Sequence, residues 1–234
     1  LNFSKLSNIV NDINAVLLPR LCFGCNARLY RGEQHLCAFC RNQIPLTDYD
    51  YVVENAVDRI FYGRIDVEKA SSFLFYMEKG ITKNIIHHLK YNNQPGIGDF
   101  LGSWCGQILQ QTKQLQNIDY VIPVPLHRSK LKKRGYNQVD SFGKRIAQSL
   151  ESRFLSTCLV KTANTKTQTK KGRFFRSKYT SELYKIIDTE VLSNKSVLLV
   201  DDVITTGATI EACAKALHKA KNIKIYILTM AVVP

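Results

Sequence analysis

No run of apolar residues in this 234-residue chain approaches the roughly 20 needed to cross a bilayer. The first residues lack a basic start followed by a long apolar block, so no secretory signal is read there. A cytoplasmic protein is expected. Acids are scarce: 19 Asp+Glu stand against 33 Lys+Arg, a formal charge of +14. A surface that positive attracts phosphates, pyrophosphate esters or nucleic acid, and says nothing about fold. There is no internal repeat and no low-complexity tract. Proline is also sparse, at six residues.

What is present begins with cysteine. Four of the seven cysteines fall as Cys22-x2-Cys25-x11-Cys37-x2-Cys40. Two Cys-x-x-Cys knuckles at this spacing can place four thiolates around zinc at about 2.3 Å. Two disulfides would suit an exported chain, and redox catalysis would ask for one such motif in a thioredoxin-like context. A structural zinc site is therefore expected, since four thiolates leave no open position for chemistry. His35 could replace a cysteine, but its place beside Cys37 suggests a surface role. Cys105, Cys158 and Cys213 stand singly in apolar settings and read as core. Before the knuckle, Leu6, Ile9, Val10, Ile13, Val16 and Leu17 recur at helical spacing up to Pro19. That predicts a short amphipathic helix packed on the body rather than on a membrane surface.

Residues 41–64 are turn-rich and read as a connection. Ala70 to Tyr76 predicts a strand, and Ile81 to Tyr91 a helix through Ile85, Ile86 and Leu89. The pair His87-His88 has no ligand partner at i+4 and is assigned to a solvated face or the edge of the core. Asn92 to Gly96 marks a turn, and Gly98 to Gln116 a second helix. Next comes Asp119-Tyr120-Val121-Ile122-Pro123-Val124-Pro125-Leu126-His127. Proline cannot donate to a sheet ladder, so this strand must end there or lie at an edge. The following segment, Arg128 to Gln138, has five basic residues and no acid. A helix follows from Asn137 through Val139, Phe142, Ile146 and Leu150.

Residues 161–178 hold seven more basic residues and no acid, and read as a mobile loop between strands. Twelve of the 33 basic residues thus lie in two short runs. The last third carries Val197-Leu198-Leu199-Val200-Asp201-Asp202-Val203-Ile204-Thr205-Thr206-Gly207-Ala208-Thr209, then a helix to about Ala220 and a strand over 223–233. An apolar strand ending in paired acids and a hydroxyl-rich glycine loop before a helix suits a phosphate: backbone N–H groups and threonine hydroxyls wrap the dianion. Paired aspartates there would lie beside sugar hydroxyls, or a magnesium ion on them. Ordinary turn chemistry explains one such acid better than two with the loop in register. The segment resembles the PRPP-binding motif of type I phosphoribosyltransferases.

Together, the cysteine knuckles, Ile122 to His127, Arg134-Gly135-Tyr136-Asn137-Gln138, Thr165-x2-Gln168 with Arg176, and Asp201 to Thr209 resemble the ComF family of competence proteins over essentially the whole chain. The resemblance implies an α/β fold: a type I phosphoribosyltransferase-like parallel-sheet core with helices on both faces, plus a small N-terminal four-cysteine zinc knuckle. It divides the chain into 1–45 (helix and knuckle) and 46–234, with a hood over about 46–117 and a core over about 118–234. Asp201 and Asp202 would meet the ribose, directly or through magnesium, and Thr205, Thr206, Gly207, Ala208 and Thr209 the 5-phosphate. Pro123, Val124, Pro125, Leu126, His127 and Arg128 would form the pyrophosphate loop, with Lys132, Lys133 and Arg134 nearby. Gln168 and Arg176 would sit on a closing loop, where Lys171 and Tyr179 depart from the family pattern. The implied role is handling incoming single-stranded DNA in natural transformation, with PRPP as ligand and other competence proteins, such as a DNA helicase, as partners. Tyr136, Phe174 and Phe175 are available for base stacking, although Phe174 suits the core equally. The other readings are a metabolic enzyme moving phosphoribose from PRPP to a nucleobase or similar amine, and a sensor that only binds PRPP. No acceptor pocket or catalytic residue is legible.

Overall fold

The computed structural model describes residues 19–162 and 183–234. The helix expected before Pro19, and Gln168, Lys171, Phe174, Phe175, Arg176 and Tyr179, lie outside the described residues. Seven strands are described: β1 (Lys69–Phe75), β2 (Tyr120–Pro123), β3 (Arg153–Phe154), β4 (Leu159–Lys161), β5 (Tyr184–Ile186), β6 (Ser196–Ile204) and β7 (Lys224–Val232). Five form one sheet in the order β1-β7-β6-β2-β3, every pair parallel. β4 and β5 pair antiparallel and flank the basic 161–178 run.

The central strands are apolar without interruption because both their faces are covered. Along β6 the side chains alternate. Leu198 and Val200 join the core cluster beneath α3 (Ile81–Tyr91), α4 (Gly96–Leu109) and α6 (Asp140–Ser149). Val197 and Leu199 join the cluster beneath α2 (Ala56–Phe61) and α7 (Ala208–Leu217). Helices thus lie on both faces, as expected. On α4, Gly98, Gly102 and Gly106 recur at one turn and let α6 approach closely. A Cβ on Gly102 would lie 2.7 Å from the Phe142 carbonyl oxygen.

Several expectations need correction. Residues 41–64 are more than a connection. They contain α2, started by a capping box in which Asn55 Oδ1 accepts from Asp58 N–H at 3.3 Å and Asp58 Oδ2 from Asn55 N–H at 3.0 Å. The second hood helix begins at Gly96 rather than Gly98 and stops at Leu109, with a single 3₁₀ turn, Lys113–Leu115, beyond it. Of the two outcomes expected for the proline strand, the first holds: it ends at Pro123 and lies between β6 and β3, not at an edge. The basic residues after His127 form a helix, α5 (Arg128–Arg134), closed by Gly135 at φ 80°. β1, from the hood part of the sequence, lies in the same sheet beside β7.

The cysteine knuckle is anchored in this body. It carries α1 (Ala38–Gln43), and Cys22, Leu36, Cys37, Cys40 and Ile44 belong to the same core cluster as α3 and α4. Asn84 on α3 donates to the Gly24 carbonyl at 2.7 Å. Among the described residues no helix is long and apolar enough to cross a membrane.

Candidate functional site

The four-cysteine cluster is assembled by two tight turns. All four Sγ atoms, of Cys22, Cys25, Cys37 and Cys40, lie within 4.8 Å of one another. Cys25 and Cys37 are 3.7 Å apart, close to the ~3.8 Å edge of a tetrahedron with Zn–S bonds of about 2.3 Å. Gly24 N–H and Cys37 N–H both donate to Cys22 Sγ, at 3.3 and 3.2 Å, and Cys40 N–H to Cys37 Sγ at 3.4 Å. Burial opposes a Cys22 thiolate, but backbone N–H groups of Cys37, Cys25 and Gly24 outweigh it and bring the pKa down to about 7. Cys37 and Cys40 shift the other way: desolvation and the neighbouring thiols raise their pKa, and a cation among the four sulfurs would reverse that. The donor set fits structural zinc. His35 is no ligand and no simple surface residue: it stacks on Phe23 (5.8 Å between centroids) and packs against Phe100. Burial lowers its pKa.

The phosphate-type loop follows β6. Gly207 caps α7 with φ 72°, a conformation that costs a side-chain-bearing residue but not glycine. Thr205, Thr206, Ala208 and Thr209 are exposed, while Gly207 is buried. The first backbone bond of the turn runs from Glu211 N–H to the Gly207 carbonyl at 2.8 Å. Earlier N–H groups are left without intrahelical partners at the positive end of the helix, where an anion is favoured.

The paired acids part company. Because strand side chains alternate, Asp201 and Asp202 face opposite sides of β6. Asp202 is buried. Its Oδ2 accepts from Gln138 Nε2 at 2.5 Å and meets Lys90 Nζ at 3.0 Å, and its Oδ1 accepts from Val203 N–H. Asp201 lies toward Tyr184, Cys213 and Lys161. Surrounding protein and the charge of Asp202 push its pKa up to about 8. A cation beside the Asp201 carboxylate would relieve both effects, as magnesium on a sugar ligand would. Lys161 Nζ, from β4, meets Tyr184 Oη at 2.9 Å.

The motif Arg134-Gly135-Tyr136-Asn137-Gln138 ties the basic helix to these acids. Arg134 donates to Gln138 Oε1 at 2.6 Å and lies over the Tyr91 ring at 5.5 Å. Asn137 Nδ2 holds the Val124 carbonyl at 3.1 Å, fixing the proline loop. Tyr136 is partly buried: its hydroxyl donates to the Leu89 carbonyl and its ring packs against the core. Pro123 and Val124 are buried, Pro125 to His127 half-buried, and Arg128, Lys132 and Lys133 exposed. His127 Nδ1 accepts from Ser129 N–H at 3.2 Å and caps α5. β2 and β6 are parallel neighbours, so the proline loop and the Thr205–Thr209 loop leave the same edge of the sheet. That edge, at the carboxyl ends of parallel strands, is where open α/β sheets bind ligands. Sequence reasoning gave Gln138 no role and did not single out Lys90. A glutamine in a motif and one lysine on an amphipathic helix carry no local sign of a distant carboxylate.

Residues 141–231 match the family model "Phosphoribosyl transferase domain", which begins beyond the proline loop and includes both acids and the glycine loop. The chain is 25% identical to Competence protein F of Haemophilus influenzae over 225 residues, 90% of this chain and 96% of the relative. It is 28% identical to Competence protein ComFC of Streptococcus pneumoniae over 230 residues, 97% of this chain and 93% of the relative. DNA utilization protein YhgH of Escherichia coli is 27% identical over 150 residues, 62% of this chain and 65% of the relative. The chain is a homologue of these competence proteins, with a phosphoribosyl transferase domain on a parallel sheet and a four-cysteine cluster near its N-terminus.

Proposed function

We propose that this chain handles incoming single-stranded DNA in natural transformation, in the cytoplasm, with a phosphoribosyl transferase domain that binds PRPP. The observation that carries the reading is α5: five basic residues and no acid, fastened through Arg134 and Gln138 to a carboxylate of the acid pair. A cationic helix on the rim of a phosphate loop gives a nucleic acid backbone a track beside the donor site. Homology to two competence proteins along nearly the whole chain supports this use over a purely metabolic one.

In the same reading the 5-phosphate lies on Thr205 to Thr209 and the ribose hydroxyls on Asp201. The pyrophosphate lies on Pro123 to Arg128, with Lys132 and Lys133 near. Asp202 keeps its partners and holds Gln138 and Lys90 in place. Magnesium, arriving with PRPP, would neutralise the pyrophosphate. Zinc would hold the knuckle against α3. Other competence proteins, a DNA helicase among them, are the expected partners.

Titration calorimetry with magnesium PRPP tests the donor site. Wild-type protein should bind and Asp201→Asn should bind more weakly. A wild-type protein that gives no heat would refute the donor site. Pyrophosphate release on adding a nucleobase would instead favour the transferase reading.

A further inference from the structure

We infer that Arg64 is a positioning residue for phosphate: by holding the Thr206 carbonyl it turns the Gly207 N–H toward the anion. The inference rests on the reading of Thr205 to Thr209 as a phosphate cradle.

Arg64 comes from the segment after α2, far from the motif in sequence. Its Nη1 donates to the Thr206 carbonyl at 2.7 Å and to the Ile60 carbonyl at 2.8 Å. Its Nε donates to Glu211 Oε2 at 3.0 Å, and Nη2 donates to the same oxygen. Glu211 lies in the first turn of α7 and also takes Lys215 Nζ. These bonds occupy most of the guanidinium's five N–H groups and set its charge against a carboxylate. Arg64 is therefore not a mobile cation waiting for a ligand. It is a brace across the back of the loop.

Peptide geometry sets the consequence for the loop. The Thr206–Gly207 peptide is trans, so its C=O and N–H point in opposite directions. With the carbonyl held by Arg64, the Gly207 N–H points away from the guanidinium. The loop is also closed from behind. A Cβ on Gly207 would lie 2.6 Å from Ile60 Cγ2 and 2.9 Å from Phe61 Cε1. Glycine makes a flip of this peptide cheap. A flipped peptide would present a carbonyl oxygen to the phosphate in place of a donor. Arg64 opposes that flip, and α2 supplies the wall from which it acts.

The test uses the full-length, zinc-loaded protein, calorimetry with ribose 5-phosphate and with magnesium pyrophosphate, and the ¹⁵N-resolved Gly207 amide. Arg64→Gln should weaken ribose 5-phosphate about tenfold, the worth of one charge-assisted hydrogen bond, and leave pyrophosphate affinity unchanged. The Gly207 amide should shift on ribose 5-phosphate addition in wild type and fail to do so in Arg64→Gln. Arg64→Lys keeps the charge but cannot span Glu211 and both carbonyls, so it should fall between the two and guards against a folding artefact. Equal binding in all three proteins would overturn the inference. So would an equal loss for both ligands, which would make Arg64 a general stabiliser. Wild-type protein that binds no ribose 5-phosphate would overturn the cradle itself, a result distinct from either.

Discussion

Gln138 donates from Nε2 to Oδ2 of Asp202 at 2.5 Å, and Lys90 Nζ reaches the same oxygen at 3.0 Å. One buried carboxylate therefore joins β6 to the segment just before α6 and to the last turn of α3. Gln138→Ala and Lys90→Met should each cost about 1–3 kcal/mol, because the carboxylate loses a partner while staying buried. As they share one oxygen, the double variant should depart from the sum of the singles by about 0.5–3 kcal/mol. Urea unfolding of the four proteins measures this, and strict additivity would contradict the shared partner.

Gly207→Ala asks for a left-handed backbone from a residue that resists it, and drives a methyl into Ile60 and Phe61. It should destabilise the protein by about 1–3 kcal/mol and remove ribose 5-phosphate binding. Thermal unfolding and calorimetry check the two parts. A stable variant with intact binding would show that the loop is not held as described.

The knuckle shares its core cluster with α3 and α4, so metal loss should be felt beyond the four cysteines. One zinc per chain is expected by metal analysis, absent in Cys37→Ser. Chelation should lower the midpoint of the main unfolding transition rather than produce a separate small one. An unchanged midpoint would mean the knuckle folds apart from the body.

Asp119 Oδ1 accepts from Lys195 Nζ at 2.8 Å and its Oδ2 from Ser196 N–H at 2.9 Å. Burial alone would raise its pKa, but these bonds and the Lys195 charge bring it below the usual value. A carboxyl depressed in the folded state contributes stability above its unfolded pKa of about 3.9. That contribution fades as pH falls through the folded value. Asp119→Asn should therefore cost roughly 0.5–1 kcal/mol at neutral pH, discounted for solvent exposure, and nothing once both forms are uncharged. Urea midpoints at neutral and strongly acid pH give the comparison; a gap that persists in acid would refute the ion pair as its source.

The sequence announced those parts of the molecule whose cause is local. The apolar run of β6 ends in acids, a glycine loop and a helix start within one stretch. The cysteine spacing carries its own geometry, and Gly135 and Gly207 sit where positive φ is needed. What stayed hidden is set by distance. Arg64 and Lys90 look like any surface cation until the sheet brings Thr206 and Asp202 beside them. Likewise, no pattern in 69–75 shows that this strand pairs with β7. Tyr136 reads as a stacking ring in the sequence because nothing near it indicates that the Leu89 carbonyl accepts its hydroxyl. The capping box at Asn55 was legible in principle, an Asn followed three residues later by an acid, but the turn-rich residues around it concealed the helix.

The proposed role of the basic rim is to take single-stranded DNA beside the donor site. The most direct measurement is the anisotropy of a fluorescent single-stranded oligonucleotide, titrated with zinc-loaded protein at several salt concentrations. Wild-type protein should bind, with log affinity falling linearly in log salt. Lys132→Glu with Lys133→Glu should weaken binding and flatten that slope by about 0.7 for each phosphate no longer neutralised. No binding even at low salt, or binding indifferent to the two reversals, would contradict the claim.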